Sequence, residues 1–494
     1  MVSMQNIVIL AITVAYLIVV LGVGMVAARA TGTSREDFLM ADRSFGTVVL
    51  LFALFATNMT AVVMIGAPGL AYQTGAGALG FFVALFAFLF PVLLMTFGYR
   101  IWLIGKRFGH ITPGQIANHR WEADYLGVLF MVMFTIWTIP YILVGVQGGG
   151  IVFEALTEGL VPYWLGALIV IVVVGLYVYP GGMRGTGWTN TFQGMVFLVV
   201  LLGLFAYIAL RLGGFGSATE SVAQINDGVL LDRAGIPPYE PRMWFSQGII
   251  VGLGGFMFPH LVIRYMTARS VTTLRQTSLL YPIAIVLAWV PAVMIGFWGI
   301  AAMPDIDNPD FILPTMVFEY LPWWVIGIAL AGILAAMMSS IDGQVLTMST
   351  FFTEDVVSEF FEGVTDKQAV WYARVFLVTI FGLAYVGALL TTDTIVDTAT
   401  FAFAGYGMMF VPLAAAFYWR WSTKEAVYVG LLYGFIGLWL FEFGPIPASL
   451  TFGFHPFVPL LVTQFILMVI VSAVTQSPSE ERINEYESAL EDVW

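Results

Sequence analysis

The chain has 494 residues, 60% of them apolar and 10% charged, with a mean hydropathy of +0.91 and a net charge of −12. So little polar surface cannot keep a water-soluble domain dispersed, and the absence of cysteine removes disulfides, thiolate metal sites and cysteine nucleophiles. The acidic balance suits a saline habitat and argues against nucleic-acid binding, which needs basic patches.

Apolar stretches of about 20 residues, each long enough to cross the hydrocarbon core, recur from end to end. They predict thirteen spans, near residues 5–27, 46–73, 77–98, 124–148, 162–180, 188–210, 244–267, 278–302, 323–352, 368–391, 395–419, 425–442 and 456–475. The first lacks the preceding basic region and the small-residue cleavage site of a signal peptide, and reads as a span. The second contains Ala56-Thr57-Asn58-Met59-Thr60, followed by Ile65-Gly66-Ala67-Pro68-Gly69. After the third comes a basic, turn-rich loop, Gly105 to Pro113. The loop Tyr179 to Gly185 leads into the sixth span through Trp188-Thr189-Asn190-Thr191-Phe192-Gln193. It is rich in glycine, but no strand precedes it and the Gly-Lys-Ser/Thr end of a phosphate loop is missing, so it is no nucleotide site.

The seventh span is interrupted by Gly252-Leu253-Gly254-Gly255-Phe256-Met257-Phe258-Pro259-His260. Gly and Pro free backbone groups that hydrocarbon does not tolerate unless they line a cavity or bind something. Two interrupted spans, five apart and running in opposite directions, match an inverted repeat around a midplane site, here residues 46–210 and 244–419. Glycine that merely allows close helix packing is the alternative reading. The ninth span carries Ser339, Ser340 and Asp342 within Ala335 to Gln344. An intramembrane carboxylate marks an ion or proton path or finds a buried partner, and two adjacent hydroxyls suit a hard monovalent cation.

Residues 211–243 and 303–322 read as loops on one side, and 477–494 as an acidic tail beyond a transmembrane domain of residues 1–476. With the N-terminus outside, sixteen of the nineteen basic residues fall on the inner side, which makes the tail cytoplasmic. The four histidines are scattered, and no nucleophile–base pair or metal cluster suggests an enzyme.

Together the segments ATNMTAVVMIGAPG, KRFGHITPGQ, YPGGMRGTGWTNTFQG, PHLVIRYMTARS and MSSIDGQVLTMSTFFTED resemble the sodium:solute symporter family, over nearly the whole chain. The family includes proline, pantothenate, monocarboxylate and sugar symporters. The resemblance implies an all-α polytopic membrane protein of about 13 helices with a LeuT-type five-plus-five inverted repeat and broken second and seventh spans. It places a sodium ion on the carbonyls of Ala56, Met59 and Ala336 and the hydroxyls of Ser339 and Ser340. The family often has Asp in a W-T-D-x-x-Q pattern where this chain has Asn190, and a hydroxyl where it has Asp342. Either the carboxylate has crossed from the sixth span to the ninth, leaving Asp342 and Asn190 at a second cation or proton site, or that site is lost and Asp342 is structural.

The proline symporters carry Asp and Trp where this chain has Asn58 and Val62, and the sugar symporters carry Gln where it has Val63. Neither solute class is matched. Asn58, Thr60, Phe256 and His260 are the expected solute contacts, with His260 equally able to be structural beside Pro259. The expectation is sodium-coupled uptake of a small organic solute (a carboxylate, amino acid or pantothenate-like acid) by alternating access in the plasma membrane. Sodium is the coupling ion and no cofactor is needed. A proton-coupled symporter of the same fold, or a solute sensor or facilitator, is the alternative.

Overall fold

A computed structural model describes residues 4–32, 34–225, 231 and 240–491. Among these the fold is helical, with one isolated bridge between Phe45 and Ala268. The chain runs through α1 (Met4–Ala30), a short α2 (Arg35–Met40), α3 (Thr47–Asn58), α4 (Val62–Gly77), α5 (Phe86–Phe108), α6 (Pro113–Trp121), α7 (Leu126–Leu156) and α8 (Tyr163–Arg211). Then come α9 (Phe215–Ala223), α10 (Pro241–Gly254), α11 (Pro259–Met266), α12 (Val271–Ala302), α13 (Ile312–Tyr320), α14 (Trp323–Phe360) and α15 (Asp366–Leu390). The chain continues with α16 (Ile395–Tyr418), α17 (Lys424–Glu442), α18 (Phe457–Val474) and α19 (Glu480–Glu491).

Ten of these helices are long and apolar enough to cross a membrane, or up to twelve elements if each bent pair is one span. The expected fifth and sixth spans form the single 49-residue run α8. At about 1.5 Å per residue it is far longer than one crossing requires. Gly182, at φ 50° and ψ −148°, breaks its helical geometry inside the expected glycine loop. A side chain there would also strike the Phe38 carbonyl at 2.5 Å. The count of thirteen is reached only if α8 crosses twice. The third span extends further than expected, to Phe108, and the ninth to Phe360. Of the expected outer loop 211–243, residues 226–230 and 232–239 lie outside the described residues, as do tail residues 492–494.

The centre of the bundle is α14, packed by α8, α7, α3 and α1. In its most apolar window 83% of residues are buried, against 28% in α1. The first bend, of 56° between α3 and α4, falls at Met59 to Ala61, ahead of the expected Ile65–Gly69, which lies within helical α4. The second falls where expected, with α10 meeting α11 at 41°. At the second, a Cβ on Gly254 would lie 2.2 Å from the Phe403 carbonyl, so only glycine lets α10 approach α16 there.

Asp310, in the segment between α12 and α13, is 4% exposed and accepts the Ile395 N–H at 3.0 Å, capping α16. Burial pushes its carboxyl up to about 6, with Asp397 adding to the rise. A carboxyl raised on folding stabilises the fold while protonated, and that contribution is lost as pH climbs from about 4 through about 6. The shift corresponds to about 3 kcal/mol. In detergent, the apparent Tm should therefore fall over this range in the parent and stay flatter in Asp310→Asn.

Candidate functional site

The first break is built by local chemistry. Helix α3 ends where Met59 leaves helical geometry at φ −87° and ψ 82°, and the Thr60 hydroxyl accepts the Val62 N–H at 3.0 Å to start α4. Facing it on α14, the Ser339 hydroxyl reaches the carbonyls of Ala56 at 2.9 Å and Ala336 at 3.0 Å. Ser340 reaches the same two at 3.5 and 3.1 Å. Membrane-helix serines commonly bond back only to their own helix; these two also cross to α3. Four neutral oxygens thus converge between the broken helix and α14, on residues no more than 1% exposed. Uncharged, hard oxygen donors in a dry site are the ligand type for a hard cation. These are four of the five expected groups; Met59 lies at the break itself, next to them in sequence.

One turn further along α14, Asp342 is fully buried. Its Oδ2 accepts from Tyr177 at 3.0 Å and Thr189 at 3.3 Å, both on α8. The side chain of buried Asn190, also on α8, stands beside the same carboxylate. Arg264, one of the sixteen basic residues assigned to the inner side, lies within α11 and is 1% exposed. Its Nη1 donates to Thr57 at 2.6 Å, while Nε and Nη2 are unpaired. The guanidinium comes within 2.6–2.9 Å of where a Cβ on Gly343 would stand, so glycine beside Asp342 makes room for it. PHLVIRYM reads as the end of a span, and nothing in it points to Asp342 as the neighbour of Arg264.

The expected solute contacts divide into two aromatic groups. The Asn58 amide donates to Tyr281 at 2.6 Å, and Tyr281 stacks on Phe90 at 4.0 Å, which in turn meets Phe256 at 5.7 Å. His260 stacks on Phe258 at 5.2 Å and faces Tyr141 at 6.1 Å. The His260 ring is fully buried there, and the Tyr141 hydroxyl lies beside Thr60. Thr60 is engaged in capping. Tyr141 and Tyr281 gave no sequence signal beyond being phenols in apolar spans. On the side of the α15–α16 turn, a cavity of about 610 Å³ opens, lined in part by Gln247, Asp393, Asp397, Phe401 and His455.

With this geometry in place, comparison with known proteins decides the family. The sequence profile of the sodium:solute symporter family matches residues 38–434. The chain belongs to the sodium:solute symporter family. It is 26% identical to the sodium/pantothenate symporter of Escherichia coli, over 92% of this chain and 94% of that one. It is 24% identical to the high-affinity proline transporter PutP of Bacillus subtilis, over 95% and 99%. In fold it resembles a Na+-coupled sialic acid symporter solved in a substrate-bound outward-open state, with a TM-score of 0.80 at 15% identity, covering 96% of this chain and 99% of that one. It also resembles the nucleobase-cation-symport-1 transporter Mhp1, at 0.60 and 16%, over 92% and 98%. As a member of this family the protein is a multi-pass membrane transporter and not an enzyme, and sodium is its coupling ion.

Proposed function

We propose that this symporter takes up a small organic acid or amino acid, with one sodium bound between the Ala56 and Ala336 carbonyls and the Ser339 and Ser340 hydroxyls, and with Met59 completing the shell. The observation that carries the reading is the crossing of both serine hydroxyls to the Ala56 carbonyl at the break. An ion there ties α3 to α14 and holds the break in one shape, so that ion and solute sites form together. Asn58, Phe256 and His260 line the solute side. The pantothenate and proline relatives support the solute class, since both of their solutes carry a carboxylate.

The face rich in arginine and lysine is the cytoplasmic one, by the positive-inside rule, so the 610 Å³ cavity opens outward. Each inward sodium then gains about 2.3 kcal/mol per 100 mV of membrane potential. Alternating access follows from repacking α3–α4 and α10–α11 against α14 and α8.

The test is uptake of a panel of labelled small acids and amino acids into proteoliposomes under a sodium gradient, a proton gradient or none. The expected result is accumulation of one of them under the sodium gradient alone. Accumulation under a proton gradient alone would transfer coupling to Asp342, and simple equilibration would mean a facilitator.

A further inference from the structure

The acidic tail folds as α19 and presents one apolar face. Ile483, Tyr486 and Ala489, spaced three apart, are all buried. Tyr486 is the anchor. Its hydroxyl donates to the Ile116 carbonyl at 3.2 Å and meets His119 Nδ1 at 3.2 Å, while its ring stacks on Phe108 at 5.3 Å. Phe108 is the last residue of α5; Ile116 and His119 belong to α6. Arg120, also on α6, lies 5.6 Å over the Tyr486 ring and donates to the carbonyls of Ala416, in the last turn of α16, and Arg420, in the α16–α17 turn, at 3.3 and 3.0 Å. Arg420 returns to α19 through Glu480 at 2.9 Å and through Glu487. Glu122 closes the assembly by accepting the Ser479 N–H at 2.9 Å and its hydroxyl at 2.7 Å.

One short helix therefore clasps three separate pieces of the cytoplasmic face. The piece that matters for transport is α5. Its last turns pack on α11, the half-helix carrying His260 and Arg264, and Trp102 donates to the Ala268 carbonyl just beyond it at 2.7 Å. Between α5 and α6 stands Gly109 at φ +74°, a bend that glycine adopts readily. The hold comes mainly from the buried phenol and its stacked ring, because exposed pairs such as Arg420–Glu480 contribute little. Protonation near neutral pH does not work the clasp: burial, and then the Arg482 charge, pull His119 below its usual range, and burial takes His110 down to about 3.

We propose that α19 is a latch that restrains the inner ends of α5 and α11 and so slows opening of the ion site to the cytoplasm. The latch does not depend on which solute is carried.

The chain has no cysteine, so engineered pairs report cleanly. Spin labels at Lys106→Cys and Lys367→Cys, both exposed, would be followed by pulsed dipolar spectroscopy with and without sodium. With native α19 one narrow distance distribution is expected. Tyr486→Ala should add a longer population and raise labelled-sodium exchange in proteoliposomes several-fold. In a second arm, Glu122→Cys and Ser479→Cys are joined by a cleavable bifunctional maleimide. The joined protein should exchange sodium several-fold more slowly, with recovery on cleavage. A folded, monodisperse Tyr486→Ala protein with unchanged distances and exchange would overturn the latch. So would a joined protein exchanging at the cleaved rate, and this second arm decides the matter if Tyr486→Ala does not fold. Absence of sodium exchange in every form would count against the sodium reading instead, and the distance distributions would still judge the latch.

Discussion

Ser340→Ala is expected to weaken apparent sodium affinity by about 10- to 100-fold, abolishing accumulation at ordinary sodium concentrations. The size follows from the site's composition. All its proposed ligands are neutral, so no single charge dominates and each oxygen carries a comparable share. Losing one buried polar partner costs about 1–3 kcal/mol, and each 1.4 kcal/mol is about tenfold in affinity. Ser339→Ala should do more harm, because its hydroxyl makes the shorter contact with the Ala56 carbonyl, at 2.9 Å against 3.5 Å. Ser349 supplies an internal control. It is equally buried on α14, but its hydroxyl only bonds back to Val345 at 2.7 Å. Ser349→Ala should therefore leave the sodium dependence alone. The measurement is uptake rate against sodium concentration at fixed membrane potential, and a Ser340→Ala protein matching the parent curve would remove the proposed site.

Asp342→Asn should damage both folding and coupling, and the two effects can be separated. The neighbouring Arg264 guanidinium is buried and attracts the carboxylate without a direct ion-pair contact, so the loss should be smaller than the about 3–5 kcal/mol of a contacting buried pair. The single variant should thus show poor yield and a lowered Tm. Replacing both, as Asp342→Asn with Arg264→Gln, removes the imbalance and should restore most of the stability. If Asp342 belongs to a second cation site, the restored protein will still show a shallower dependence of uptake on sodium and a lower ion:solute ratio. A double variant with parental coupling would reduce Asp342 to a counter-charge for Arg264. The α8 groups Tyr177, Thr189 and Asn190 gathered on Asp342 favour the first outcome, because a carboxylate that served only Arg264 would not need them.

Much of this was legible in the chain because a bilayer imposes strict rules. Hydrocarbon forces long apolar runs and penalises broken helices, so the break beyond Gly254 was legible, whereas the first break lies at Met59, ahead of the Gly66–Gly69 segment where glycine and proline point. Ser339, Ser340 and Asp342 stood out for the same reason, as polar groups in an apolar helix. The span count was less secure. Composition cannot tell a turn between two crossings from a kink within one helix, and at Gly182 two helical runs of α8 meet across a non-helical residue.

The sequence by itself determined the membrane class, the break in the seventh span and the polar residues of α14, since each follows from what one segment can tolerate in lipid. Only the tertiary structure decided which groups face one another. It put Arg264 beside Asp342 across 78 residues of chain, joined Asn58 to Tyr281 and set His260 between Phe258 and Tyr141. It also turned an acidic tail into a clasp on Phe108 and His119. Such pairings depend on helix rotation and approach, which are set by close packing between distant segments and leave no periodic trace in either one.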